Sequence, residues 1–192
     1  MGSEPLTLGF DTSAAHCAAA LLSGERVLAA RAEEMGRGQA ERLMPLLEEV
    51  LAEAGAAWRD LDRIGVGIGP GNFTGIRISV AAARGLALSL DISSIGINTF
   101  DIIRASGNGG TPAVPAPRGM VHILSPGAGP ALVPLADVTD PAAPPLPAEM
   151  ARLIAHLAQA APADAPPPAP LYARPADAAP ARDAPPLILD DA

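Results

Sequence analysis

The chain has 192 residues and a net charge of −8, and its 13 basic residues include no lysine. Such a chain, lacking a basic stripe, is a poor candidate for gripping a phosphate backbone unaided, so nucleic acid would be met through a partner that supplies the charge. Its one cysteine, Cys17, excludes an internal disulfide and a cysteine-rich zinc site.

In chain order, Leu6–Phe10 alternates and ends in the polar cluster Asp11-Thr12-Ser13, His16–Leu22 forms a second strand, and Arg26–Glu33 a third. Tight turns between three short strands predict an antiparallel meander. Gln39–Ala54 reads as a helix, with Leu43, Leu46, Leu47, Val50 and Leu51 on one face and Glu41, Glu48, Glu49 and Glu53 on the other. Pro45 falls early enough in it to be tolerated. A strand follows at Ile64–Ile68, then a helix over Phe73–Leu90 in which only Arg77 and Arg84 are charged. Its small residues lie all round, which suits burial on more than one side. Ser94–Ile97 reads as a short strand and Thr99–Arg104 as the start of a helix. Beyond these, Val121–Leu124 and Ala131–Leu135 are weaker strand candidates, and Ala148–Ala161 fits a helix.

The core-forming residues concentrate before residue 105, and the first hundred residues carry three of the 22 prolines. Three units are expected: 1–104 as the principal lobe, 105–161 as a reduced second lobe, and 162–192 as an Ala/Pro-rich tail. The N-terminus has no basic or long apolar leader, and no stretch reads as apolar enough to span a bilayer, so no membrane and a reducing cytoplasmic setting are expected. The order β-β-β-α-β-α-β fits an α/β fold of the actin-like/RNase H-like class, with a mixed five-stranded sheet. A doubly wound sheet ranks second.

The stretch with the most specific chemistry is Ile64–Ser79. Gly65, Gly67, Gly69, Gly71 and Gly75 fall within eleven residues, and Asn72 suits the cap of the helix that begins at Phe73. A glycine turn feeding a helix aims backbone N–H groups at one point, which suits an anion. It equally lets two backbones approach closely. No Gly-Lys-Ser/Thr follows, and the glycine spacing departs from GxGxxG, so neither a Walker loop nor a dinucleotide fingerprint is present. Asp11 and Thr12 could hold a metal-phosphate group, as equivalent turns do in actin-like ATPases, but those enzymes need a second complete lobe. The candidate anion-binding set is therefore Asp11, Thr12, Gly69, Gly71, Asn72, Phe73, Thr74, Gly75 and Arg77. His16, His122 and His156 have no metal-ligand spacing, no serine-hydrolase elbow occurs, and Cys17 sits in an apolar run as a buried, inert thiol. No metal and no catalytic residue is expected.

Gly9-Phe-Asp-Thr-Ser13, the leucine-rich helix and Gly69-Pro-Gly-Asn-Phe-Thr-Gly-Ile-Arg-Ile78 resemble the bacterial TsaB (YeaZ-type) proteins. Arg84–Leu88, Ile95–Phe100 and Pro170–Pro175 are similar to the continuation and C-terminal signature of that family. Three positions depart from its pattern. Asn72 stands for a serine, Gln39 for a histidine, and the second half lacks an Asp-Ala-Arg-x-Gly-Glu-Val-Tyr-like strand unless Leu124–Ala128 is its remnant. The resemblance implies a non-catalytic subunit of the machinery that makes threonylcarbamoyladenosine in tRNA. The subunit would pair with a TsaD-type catalytic paralogue and work with a TsaE-type ATPase on an adenylate made by TsaC-type enzymes. No cofactor is bound by the chain alone, ATP is used by the wider complex, and tRNA is met only through it. The implied partner interface is helical: Leu43, Leu46, Leu47 and Val50 from the first helix, and Ile76, Val80, Ala83 and Ala87 from the second. A homodimer through the same helices is the variant for the isolated chain. The competing reading is a stand-alone nucleotide-binding ATPase or glycoprotease-like hydrolase using Asp11, Thr12 and the glycine turn.

Overall fold

A computed structural model describes residues 4–124, 129–162 and 164–173. The elements are β1 Leu6–Asp11, β2 His16–Ser23, β3 Arg26–Glu34, α1 Gln39–Glu53, β4 Arg63–Gly67, α2 Phe73–Leu90, β5 Ser93–Ile97 and α3 Thr99–Ala105. They continue with β6 Thr111–Ala116, β7 Met120–Leu124, β8 Pro130–Pro134, β9 Pro141–Ala142 and α4 Pro147–Ala160. The first sheet has the order β3-β2-β1-β4-β5. β1, β2 and β3 pair antiparallel, whereas β4 and β5 add in parallel. The second sheet has the order β8-β7-β6-β9 and repeats the scheme in reduced form: an antiparallel meander, then one parallel strand.

Alternation along β1, β2 and β4 sorts their side chains into two apolar faces. Cys17, Ala19 and Leu21 join Leu8, Phe10, Ile64 and Val66 beneath α1 in the main core. Leu43, Leu46, Leu47 and Val50 of α1 meet them there. The opposite face carries Ala18, Ala20 and Leu22, which pack on Ala151 and Ala155 of α4. Gly9 and Gly65 lie on that same face. A side chain at Gly9 would run into the Ala151 carbonyl and the Ala155 N–H, and one at Gly65 into the Ile154 carbonyl. The two strands thus keep bare backbone where α4 lies down, and the result is helices on both sides of a sheet.

The Ala/Pro-rich region after residue 140 therefore supplies a core element. Met150, Ala151, Leu153, Ile154, Ala155 and Ala158 of α4 are all buried. Each large aliphatic group among them contributes about 1.5–3 kcal/mol when fully buried. Arg63 fixes the far end of α4 by donating from Nη1 to the carbonyls of Ala158, Gln159 and Ala161, at 2.7, 3.2 and 2.8 Å. Beyond α4, Ala165 packs against the cluster holding Ile95 and Ile97, and Leu171 donates its N–H to the Ile68 carbonyl. Residues 164–173 thus run back across the first sheet, while 174–192 and the Ser125–Ala128 part of the proposed remnant lie outside the described residues.

Two further differences from the sequence reading have physical causes. β6 contains Pro112 and Pro115 and carries no strand signal, yet it pairs along β7. β9 covers only Thr111 and Pro112, so the remainder of β6 is an edge on that side, where proline is tolerated. α2, with 18 residues at a mean hydropathy of 1.2, is long and apolar enough by length and composition to cross a membrane, contrary to the expectation above. Here its Gly75, Ile76, Ser79, Val80, Ala83 and Ala87 are buried against the chain itself.

Candidate functional site

The carboxyl ends of the parallel strands β1, β4 and β5 meet the N-termini of α2 and α3 at one place, where ligands usually bind in open α/β sheets. The glycine turn between β4 and α2 crosses there over the turn Asp11-Thr12-Ser13. Asn72 caps α2, its Oδ1 accepting the Gly75 N–H at 2.9 Å. The Asn72 N–H donates to the Ser13 carbonyl at 2.6 Å, and the Thr12 hydroxyl donates to the Gly75 carbonyl at 2.7 Å. A methyl group at Gly75 would meet the Thr12 carbonyl oxygen, and one at Gly71 the Ser13 carbonyl oxygen. Gly69, at φ 89°, holds the turn open and accepts the Thr99 N–H at 2.8 Å.

Asp11, Thr12 and Ser13 are buried. Asp11 Oδ1 accepts from the Ser13 N–H at 2.8 Å, the Ser13 hydroxyl at 2.9 Å and His16 Nε2 at 2.8 Å. Asp11 Oδ2 faces Gly67, where any β-carbon would collide with it. The turn that could present a carboxylate to a metal-phosphate group spends one oxygen on its own loop and seals the other against β4. Next to it, burial pushes the Cys17 thiol up to about 11, assisted by the charge of Glu33, so the thiol stays protonated and a poor nucleophile.

A cleft of about 610 Å³ opens between the two sheets beside this crossing. Ser13, His16, Gln39, Asn72 and Thr99 form its polar wall on the first sheet, and Val114, Pro115 and His122 face them from β6 and β7. Pro144, Pro145 and Met150 close one side. Among the described residues no arginine and no carboxylate side chain lines it, and no group of three or more His, Cys, Asp or Glu could hold a metal ion.

The candidate residues thus divide. Asp11, Thr12, Gly69, Gly71, Asn72 and Gly75 are brought together by backbone hydrogen bonds and close approach. Phe73, Thr74 and Arg77 point outward. Arg77 lies 3.9 Å from the centroid of the Phe73 ring and donates from Nε to the Tyr172 hydroxyl at 2.9 Å. Sequence reasoning missed His16, Ser13, Thr99 and Tyr172 as members of this neighbourhood. His16 had a readable signal, because it opens β2 directly after the turn that follows Asp11.

Residues 31–137, more than half of the chain, match the family model described as TsaD: tRNA N6-adenosine threonylcarbamoyltransferase. The chain belongs to this family. Within it, the chain is a TsaB, or YeaZ-type, protein. It is 36% identical over 98 residues to the tRNA threonylcarbamoyladenosine biosynthesis protein TsaB of Buchnera aphidicola, which covers 51% of this chain and 46% of that one. Against the Escherichia coli protein of the same name it is 33% identical over 93 residues, 48% of this chain and 40% of that one. The chain thus spans less than half the length of these relatives. A Pseudomonas aeruginosa protein with similarity to the peptidase YeaZ superposes with a TM-score of 0.70 at 26% identity, over 88% of this chain and all of that one. The fold is accordingly of the actin-like/RNase H-like class.

For this TsaB-type chain the eight residues assigned to a helical partner interface have another position. Leu43, Leu46, Leu47, Val50, Ile76, Val80, Ala83 and Ala87 are all buried within the chain. The helical period that selected them marks the face each helix turns to its own sheet, and that face is already covered. The outer face of α2 is what remains: Arg77, Ala81, Arg84 and Leu88 are exposed, Leu88 to 87%.

Proposed function

We propose that the chain is a non-catalytic subunit supporting threonylcarbamoyl transfer to adenosine of tRNA, and that it pairs with a TsaD-type catalytic paralogue through the outer face of α2. A TsaE-type ATPase and tRNA are reached through that complex, in the cytoplasm. The chain alone binds no nucleotide, and ATP is used elsewhere in the assembly. The observation that carries this reading is the closure of the glycine turn. The space in which a phosphate cradle would open is occupied by the carbonyls of Thr12 and Ser13, and Asp11 is turned away from the cleft. The names of the relatives supply the tRNA modification.

The pairing is tested by mixing the chain with the TsaD-type protein and following both by size-exclusion chromatography. A joint peak at micromolar concentration is expected, and Leu88→Glu is expected to abolish it, because the added charge would be desolvated without a partner. Separate peaks for the unaltered chain would overturn the reading. In the absence of the paralogue the same face would serve a homodimer. One observation favours a second reading, a nucleotide-binding enzyme: a sizeable cleft with His16 in its wall, backed by the buried Asp11 to which His16 is bonded. Calorimetric titration with ATP and Mg²⁺ separates the two, since micromolar binding by the isolated chain would favour the enzyme.

A further inference from the structure

Aromatic side chains are scarce in this chain: three phenylalanines, one tyrosine and one tryptophan. Phe10 and Phe100 are fully buried, the usual place for such bulk. Phe73 and Tyr172 break that pattern. They are 46% and 39% exposed, and they lie against each other with ring centroids 5.1 Å apart. Arg77 completes the patch. Its guanidinium carbon stands 3.9 Å from the Phe73 centroid and 5.8 Å from that of Tyr172. Its Nε donates to the Tyr172 hydroxyl, whereas Nη1 and Nη2 form no hydrogen bond or ion pair among the described residues.

Residues 164–173 do not need these rings to stay on the fold. Leu171 already holds that segment, with its N–H on the Ile68 carbonyl at 2.8 Å and its side chain against the cluster of Phe100 and Val114. No carboxylate occurs along α2, so the helix carries nothing to neutralise Arg77. The residues on either side of Phe73, Asn72 and Thr74, are exposed and polar. Hot spots of protein interfaces sit instead in desolvated, well-packed pockets. Exposed rings beside an arginine, on a polar ground, form the kind of platform on which unpaired nucleobases stack. Stacking also asks for little positive charge, which suits a chain of net charge −8.

We propose that Phe73, Tyr172 and Arg77 are the chain's own contact with RNA: an unstacked base of the tRNA lies on the ring pair, and Nη1 and Nη2 of Arg77 meet the phosphate beside it. This rests on the reading above, in which the paired complex brings the tRNA. Both contacts fit on one helix, because Phe73 and Leu88 are ~22 Å apart along α2.

The test is photocrosslinking of the full chain, paired with the TsaD-type protein, to a tRNA transcript in which 5-iodouridine replaces uridine. The iodinated base couples to aromatic side chains on which it stacks, and mass spectrometry locates the adduct. An adduct on Phe73 or Tyr172 is expected. Phe73→Ala combined with Tyr172→Ala should weaken tRNA binding by the complex about tenfold and leave pairing unchanged. Arg77→Lys, which keeps the charge and loses the planar group, should weaken it about threefold. Binding of tRNA with no adduct at either residue overturns the site and keeps the pairing. Loss of pairing by the double variant in the absence of tRNA makes the patch a protein contact and also overturns the site. If the two proteins do not pair, the same adduct between the isolated chain and an oligouridylate carrying 5-iodouridine, at low salt, keeps the site and removes the partner reading. Absence of that adduct removes both.

Discussion

Asp11 illustrates how one side chain changes meaning once its neighbours are known. In sequence it is a carboxylate at a strand end, placed where it could hold a metal-phosphate group. In the fold its Oδ1 gathers the Ser13 N–H, the Ser13 hydroxyl and His16. The glycines opposite serve the same economy of space. Gly75→Ala should destabilise the chain by about 1–3 kcal/mol, the usual range for forcing a methyl into packed backbone. Urea denaturation reads this directly. A neutral outcome would mean that α2 is free to shift away from Thr12. The sequence narrowed this stretch to two uses, an anion cradle or a close crossing of backbones. It could not choose between them, because the carbonyls that fill the crossing belong to Thr12 and Ser13, some 60 residues away in the chain. Cys17 gives a second check at this scale. With the thiol buried and pushed up to about 11, it should resist a disulfide reagent at pH 8 in the native state and react fully in urea.

At the scale of elements, α4 depends on what two strands leave out. Gly65→Val should be far more damaging than Gly85→Val on the outer surface of α2, because only the first would meet the backbone of α4. Arg63→Met should cost about 2 kcal/mol, since three carbonyls at the end of α4 would lose a charged donor. Thermal unfolding compares these variants. On the other side of the sheet, Arg42 bridges Glu33 of β3 and Glu49 of α1, with contacts of 2.6–2.8 Å. Hydrogen bonding to Arg42 lowers both carboxyls below their usual range. A carboxyl lowered in the folded state contributes stability above its unfolded value of about 4.3 and loses it as the pH falls through its folded value. Stability should therefore decline below about pH 4.5, and Arg42→Met should flatten that decline in denaturant titrations between pH 3 and 7. The helices and the first five strands were legible because their periods are strong. β6 and β9 were not, because prolines at an edge erase the strand signal while leaving the pairing intact.

For the whole molecule, burial decides which helix faces are available to others. Val80→Glu and Leu88→Glu place the same charge on the same helix, yet Val80 is 4% exposed and Leu88 is 87% exposed. The first should unfold the chain, seen as a collapsed circular dichroism signal. The second should leave the monomer intact and remove only pairing with the TsaD-type protein. Amphipathic spacing located the apolar stripe correctly and could not say whether the chain or a partner covers it. In this fold the chain covers it.

The position of α4 also constrains how the chain is made. The first sheet is fully transcribed into strands by Ile97, but one face of it waits for a helix that ends at Ala160. During synthesis at about 5–20 residues per second, the alanine face of β2 and the bare glycines of β1 and β4 stay uncovered for several seconds. A nascent chain stalled before Pro147 should consequently remain open to protease. The second sheet, spelled between the two, is built while the first still lacks its lid, and α4 is the stitch that joins a later-made segment to the first-made core.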